Sequence, residues 1–179
     1  MSATPAAVDV AAILAGAWVP GESLAGARLL TASADESGLI ALFTLPSGDF
    51  LEVRQHNKGT GAPDENELYA VNPRNYMTPR TGRLFGEFAG NLEKGQRDGS
   101  LRTRYEGLLV APPGAATVVL RLADGTQVTM QVVQGFAVLR YVRPTPGAAT
   151  VMDFTAVALD ASGRQLAVFD KAYAPPGEK

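Results

Sequence analysis

The chain has no cysteine, one histidine and one tryptophan in 179 residues. Without cysteine it forms no disulfide, thiolate metal site or cysteine nucleophile, which constrains its chemistry but not its compartment. With His56 as the only imidazole there is no histidine pair for zinc, and a serine triad would rest on that one residue. No run of about 18 apolar residues is present, so the sequence holds no transmembrane helix. A basic excess is also missing: the formal charge is -2, which gives no general attraction to nucleic acid or to an anionic membrane. Glycine-rich phosphate loops and a nucleophile elbow are absent. The sequence therefore suggests no cofactor, no metal and no nucleic-acid partner; PDENE at 63–67 is only a sparse set of oxygen ligands for calcium.

What is present is hydrophobic alternation. With 46% hydrophobic and 19% charged residues, the chain can bury a core of its own as one domain, residues 1–179. Its 19 glycines and 12 prolines, scattered without a repeat, fit many short strands joined by tight turns. The clearest stretch is Leu108 to Val142. Val118, Leu120 and Leu122 alternate on one arm and Val128, Met130 and Val132 on the next, each pattern giving one buried and one wet face. Asp124-Gly125 between them predicts a type I′ hairpin. Gln134-Gly135 turns the chain again, and the meander is expected to continue its buried row through Phe136 and Val138.

In chain order, Thr4-Pro5 predicts a helix start and Gly16 its end, so residues 1–17 are read as a short helix or linker, with Trp18 packing beneath the first strands. Asp9 within that start, and the lack of a basic region before it, argue against an intact signal peptide. Ala27–Ala34, Leu39–Leu45 and Phe50–His56 read as a second meander. On its third strand Glu52, Arg54 and His56 share a face; acid–base chemistry is conceivable there, but a solvated face is the expectation. Residues 57–104 read as a long loop region with short strands at 68–71 and 84–88. The final hairpin spans Thr150–Leu159 and Gln165–Phe169 with a tail from 172 to 179, and Asp153 is placed on the wet face. The class this predicts is all-β: an antiparallel β-sandwich or partly closed barrel of about eight to ten strands with a short N-terminal helix.

The run YEGLLVAPPGAATVVLRLADGTQVTMQVVQGFAVLRYV followed by VMDFTAVALDASGRQL resembles the plan of all-β extracytoplasmic modules in membrane-tethered proteins of Gram-positive bacteria. The shared features are Gly107, Val110-Ala111-Pro112-Pro113, Asp124-Gly125, Gly135-Phe136 and Asp160-Ala161-Ser162-Gly163-Arg164, covering about residues 105–169. The resemblance implies a non-catalytic role outside a membrane, reached through a helix that this chain lacks, and carries no functional residue with it.

Candidate contact residues come from charge instead. Between Arg74 and Arg104 lie seven basic and three acidic residues, and Arg74, Asn75, Tyr76, Arg80 and Arg83 gather around Pro73 and Pro79. Arginine's fork of donors suits a carboxylate or phosphate, so this 74–83 loop is the expected surface for a protein or an acidic ligand. The sequence thus favours a non-enzymatic binding or sensing module. Its alternatives are a carboxylate-based hydrolase drawing on acids such as Asp49, Glu52 and Asp153, and a cytoplasmic structural or interaction protein.

Overall fold

Leu39 to Phe43 is apolar at five consecutive positions, where a strand with one wet face would alternate; such a run belongs to a strand covered on both sides. The computed structural model, which describes residues 10–15, 24–35, 38–56, 65–71, 78–94, 101–144 and 154–171, places it so. In chain order the elements are α1 (Val10–Ala15), β1 (Arg28–Asp35), β2 (Gly38–Thr44), β3 (Phe50–His56), β4 (Glu65–Val71), β5 (Phe85–Lys94), β6 (Leu101–Val110), β7 (Thr117–Leu122), β8 (Gln127–Gln131), β9 (Phe136–Pro144), β10 (Phe154–Leu159) and β11 (Gln165–Val168). The protein is all-β. Its strands form three antiparallel sheets ordered β1-β2-β3-β4, β5-β6-β9 and β11-β10-β7-β8, and among the described residues none closes into a barrel. The helix start expected at Thr4-Pro5, Trp18, Asp153 and the 172–179 tail lie outside the described residues.

Three apolar clusters hold the sheets. Ile40 and Leu42 of β2 meet Phe85, Leu108, Val110, Phe136 and Val138 of the β5-β6-β9 sheet. Tyr105, Leu109, Ala137 and Leu139, the alternate residues of β6 and β9, pack against Val118, Leu120, Leu122, Met130 and Ala156 of the third sheet. The β5-β6-β9 sheet is therefore buried on both faces, which accounts for the uninterrupted LLVA and FAVL runs. Beyond β2, Ala41 and Phe43 join Leu51, Val53 and Ile13 of α1 in a third cluster.

The meander expected from Leu108 to Val142 is split. β7 and β8 pair in register, Val118 with Met130 and Leu120 with Val128, but β9 leaves them and pairs with β6. Phe136 and Val138 consequently face the opposite core from the β7 row, and Ala137 and Leu139 continue that row instead. The segment 57–104, read as a long loop, contains β4, all of β5 and the start of β6. Its glycines and charges weaken the alternation that would have announced them: Gly86, Gly90 and Gly107 sit inside the β5–β6 pair.

The type I′ turn lies one hairpin later than expected. Asp124 does not have positive φ; Gly125 does, at 86°. Gly125 N–H donates to Leu122 O at 3.0 Å and Leu122 N–H to Thr126 O at 2.9 Å, a three-residue loop closed by a left-handed glycine. Ser47-Gly48 and Ser162-Gly163 end loops with the same bonding pattern. The two-residue turn is Gln134-Gly135, with φ of 50° and 88° and reciprocal bonds between Val133 and Phe136. Gln134 is thus a non-glycine residue in a left-handed conformation that asparagine tolerates better. Gln134→Asn is expected to raise stability by several tenths of a kcal/mol, up to about 1 kcal/mol. A lowered midpoint in urea would contradict the turn assignment.

In the last hairpin the Asp160 carboxylate accepts from Ser162 Oγ–H at 2.6 Å, Ser162 N–H at 2.9 Å and Arg164 N–H at 3.0 Å. These bonds, led by the Ser162 hydroxyl, lower its pKa to about 2. A lowered carboxyl pKa stabilises the fold above its ordinary value of 3.8, and the contribution is lost as pH falls through about 2. Asp160→Ala should accordingly lower Tm at neutral pH, with the difference from wild type shrinking between pH 4 and pH 2. A difference that stays constant over that window would rule out this origin.

Candidate functional site

β3 carries two alternating rows, Leu51, Val53 and Gln55 against Glu52, Arg54 and His56. The first row is covered by the α1 side. The second was expected to be solvated; Glu52 is instead buried, 4% exposed, and Arg54 and His56 are half-buried, because this face looks into the gap between the β1–β4 sheet and the β5-β6-β9 sheet. One end of that gap is filled by Ile40, Leu42, Phe85, Leu108 and Phe136. The other end is filled by charge. The switch is visible along β6, whose even positions run Arg104, Glu106, Leu108, Val110.

Glu106 is the centre of this polar end, 5% exposed, and Arg140 of β9 is 3% exposed. The Arg140 guanidinium donates from Nη1 to Glu106 and from Nε to Asp35 of β1 at 3.1 Å. Arg104 Nε lies 3.5 Å and Arg54 Nε 3.9 Å from the same Glu106 carboxylate. Arg54 also bonds Glu52 at 2.6 Å and reaches Glu87 of β5 at 3.6 Å. Burial pushes the Glu52 carboxyl upward against the pull of Arg54. Burial works against the Arg54 charge in turn, but the acids around it, Glu52 first and then Glu106 and Glu87, together outweigh this and raise its pKa. Ser33 of β1 ties the two sheets together: its hydroxyl donates to Arg140 O at 3.3 Å and accepts from Arg140 N–H at 3.0 Å, occupying the side of β9 away from β6.

His56 completes the cluster. Its Nδ1 is 3.1 Å from Arg104 Nη1 and 3.4 Å from Arg140 Nη1. A guanidinium has donors only, so a hydrogen bond in either contact makes Nδ1 the acceptor, and Nε2 lies 4.0 Å from Glu106 Oε1.

Beside this cluster opens a pocket of about 540 Å³. Arg54, His56, Arg104 and Glu106 form one wall; Gly86, Glu87, Phe88, Ala89 and Asn91 of β5 form the lip; Phe169 and Lys171, just past β11, close the far side. Lys171 Nζ sits 3.9 Å from the centroid of the Phe154 ring, a cation–π contact with the core cluster behind the pocket residues Phe88 and Phe169. Three cationic side chains thus border the opening. Of its two carboxylates, Glu106 is engaged by Arg140 from behind and Glu87 lies within reach of Arg54.

Of the residues expected to form a contact surface, Arg74, Asn75 and Tyr76 lie outside the described residues. Arg80 and Arg83 occupy the turn before β5, closed by Arg83 N–H donating to Arg80 O at 3.2 Å. Arg83 is ion-paired with Asp170 at 3.0 Å, between the pocket residues Phe169 and Lys171. Among the acids named for hydrolysis, Glu52 belongs to the charged cluster, Asp49 sits in the β2–β3 turn and Asp153 lies outside the described residues. Sequence reading missed Glu106, Arg104 and Arg140 as site residues. The signal was the two-sided apolar run of β2: where a strand is covered on both faces, its neighbour's polar row has no solvent to face. Among the described residues no group of three potential metal ligands occurs, and no helix is long and apolar enough to cross a membrane. No family model, curated protein or solved structure matches the chain.

Proposed function

We propose that the protein is a β-sandwich binding module that takes an anionic ligand into the pocket between β3, β5 and β6. The observation that carries this reading is the gathering of Arg54, Arg104 and Lys171 around one opening, where each keeps a partner of its own, Glu52 for Arg54, Glu106 for Arg104 and the Phe154 ring for Lys171. Arginine pairs with carboxylate or phosphate through parallel donors, and a partly buried site strengthens that pairing. The geometry favours holding over turnover. A carboxylate pair for hydrolysis needs one free base, whereas Glu52 and Glu106 each have a guanidinium bonded to them. The extracytoplasmic setting implied by the resemblance in residues 105–169 forms part of the same proposal.

Calorimetric titration of the full chain with succinate and with inorganic phosphate tests it. Saturable binding is expected for at least one of them, weakened about tenfold or more in Arg104→Gln and in Lys171→Met, since a charge-assisted hydrogen bond contributes about 1.5–3 kcal/mol. Absence of saturable binding, or equal affinity in both variants, would refute the reading.

A further inference from the structure

The lip of the pocket is a sheet edge. β5 pairs with β6 along all ten of its residues, Phe85 with Val110 through Lys94 with Leu101. On its other side, the described residues make one parallel bridge, Leu84 with Phe169, and Asp170 N–H donates to Leu84 O at 3.1 Å. The chain just after β11 therefore runs beside Leu84 at the start of β5, and Phe169 and Lys171 line the pocket together with Gly86, Glu87 and Phe88.

The register shows which backbone groups look outward. Arg140 uses its N–H and C=O on Ser33, so Arg140 and Glu106 are a non-hydrogen-bonded pair of β6 and β9, and Glu106 turns its own backbone groups to Ala89 of β5. By alternation, Gly86, Phe88, Gly90 and Leu92 direct theirs away from β6 and along the pocket. The bond from Asp170 to Leu84 follows the same parity.

We infer that this edge accepts an extended peptide as an added strand, with an acidic side chain of that peptide entering the charged wall; this rests on the anion-pocket reading and specifies its ligand. Edge pairing supplies affinity through the main chain and leaves selection to alternate side chains. One face of the added strand would look onto Arg54, His56 and Arg104, which select a carboxylate. The next side chain would look onto Phe88 and Phe169, which select an apolar group, with Lys171 at the rim. A long edge without proline is normally blunted by charge; within the pocket-lining stretch 86–91 the charged residue is Glu87, and it reaches toward Arg54.

The test uses the full chain and pools of acetylated, amidated six-residue peptides of alternating apolar and polar residues. One pool has a central aspartate, a second has asparagine there, and a third keeps the aspartate but carries N-methyl groups on alternate amides. The aspartate pool should bind at least tenfold more tightly than either control. Amide resonances of Gly86, Phe88, Gly90 and Leu92 should shift most, and Lys171→Met should weaken binding. Equal binding of the N-methylated pool would overturn strand addition while leaving the anion pocket standing. Binding of succinate or phosphate without any preference for the aspartate pool would overturn the peptide ligand alone. If neither anions nor peptides bind, both readings fail.

Discussion

Arg140→Met is expected to destabilise the protein by about 3–5 kcal/mol, the usual cost of removing one partner of a buried ion pair. Arg140 is 1% exposed at its side chain, and without it the Glu106 carboxylate, 4% exposed, loses the guanidinium bonded to it from behind. The same substitution removes the link to Asp35 and one of the two donors that hold His56 Nδ1. Adding Glu106→Leu to Arg140→Met should recover a large part of the loss, because the cost lies chiefly in the orphaned charge. Urea unfolding of the two variants reads this directly. A single variant within about 1 kcal/mol of wild type would mean that solvent reaches the cluster and that the gap between the sheets is open.

Gly107→Ala is expected to be as damaging, at least about 3 kcal/mol, for a steric reason. At φ of 155° its Cβ would stand 2.0 Å from Glu87 O and 2.6 Å from Phe88 Cα, inside the β5 backbone. The methyl group can be accommodated only if β5 moves off β6, and β5 is the lip of the pocket. Gly125→Ala provides the control: its φ is 86°, but nothing lies within 4 Å of the added Cβ, so only the left-handed strain of about 1–2 kcal/mol applies. Equal losses at the two positions would show that backbone conformation, and not the approach of β5, fixes glycine at 107.

The fold class and most strands were legible because alternation and turns are local. β3 was read from Phe50 to His56, as found, since both its rows alternate cleanly between the turn at Gly48 and the loop after it. What alternation does not carry is partnership. Nothing near Gly135 says that β9 abandons β8 for β6, since that choice is made by Phe136 and Val138 finding Ile40 and Leu42, nearly a hundred positions away. The turn at Asp124 was misassigned because a glycine with positive φ fits both hairpin loops, and only the preceding residue's φ separates them. The charged wall was hidden for a different reason. Glu52, Arg54, Arg104, Glu106 and Arg140 come from three strands, and each alone has the pattern of a solvent face; burial follows only once the sheets are stacked and the charges meet.

The single histidine gives a direct reporter of the central claim, since histidine labelled with nitrogen-15 in its imidazole ring marks only Nδ1 and Nε2 of His56. The expected result is an unprotonated Nδ1 shifted by its two guanidinium donors, with both ring signals moving together to a saturated end point as succinate or phosphate, whichever binds in the calorimetric titration, is added. A ring protonated on Nδ1, or signals that stay fixed throughout the titration, would contradict the charged wall and the anion site built on it.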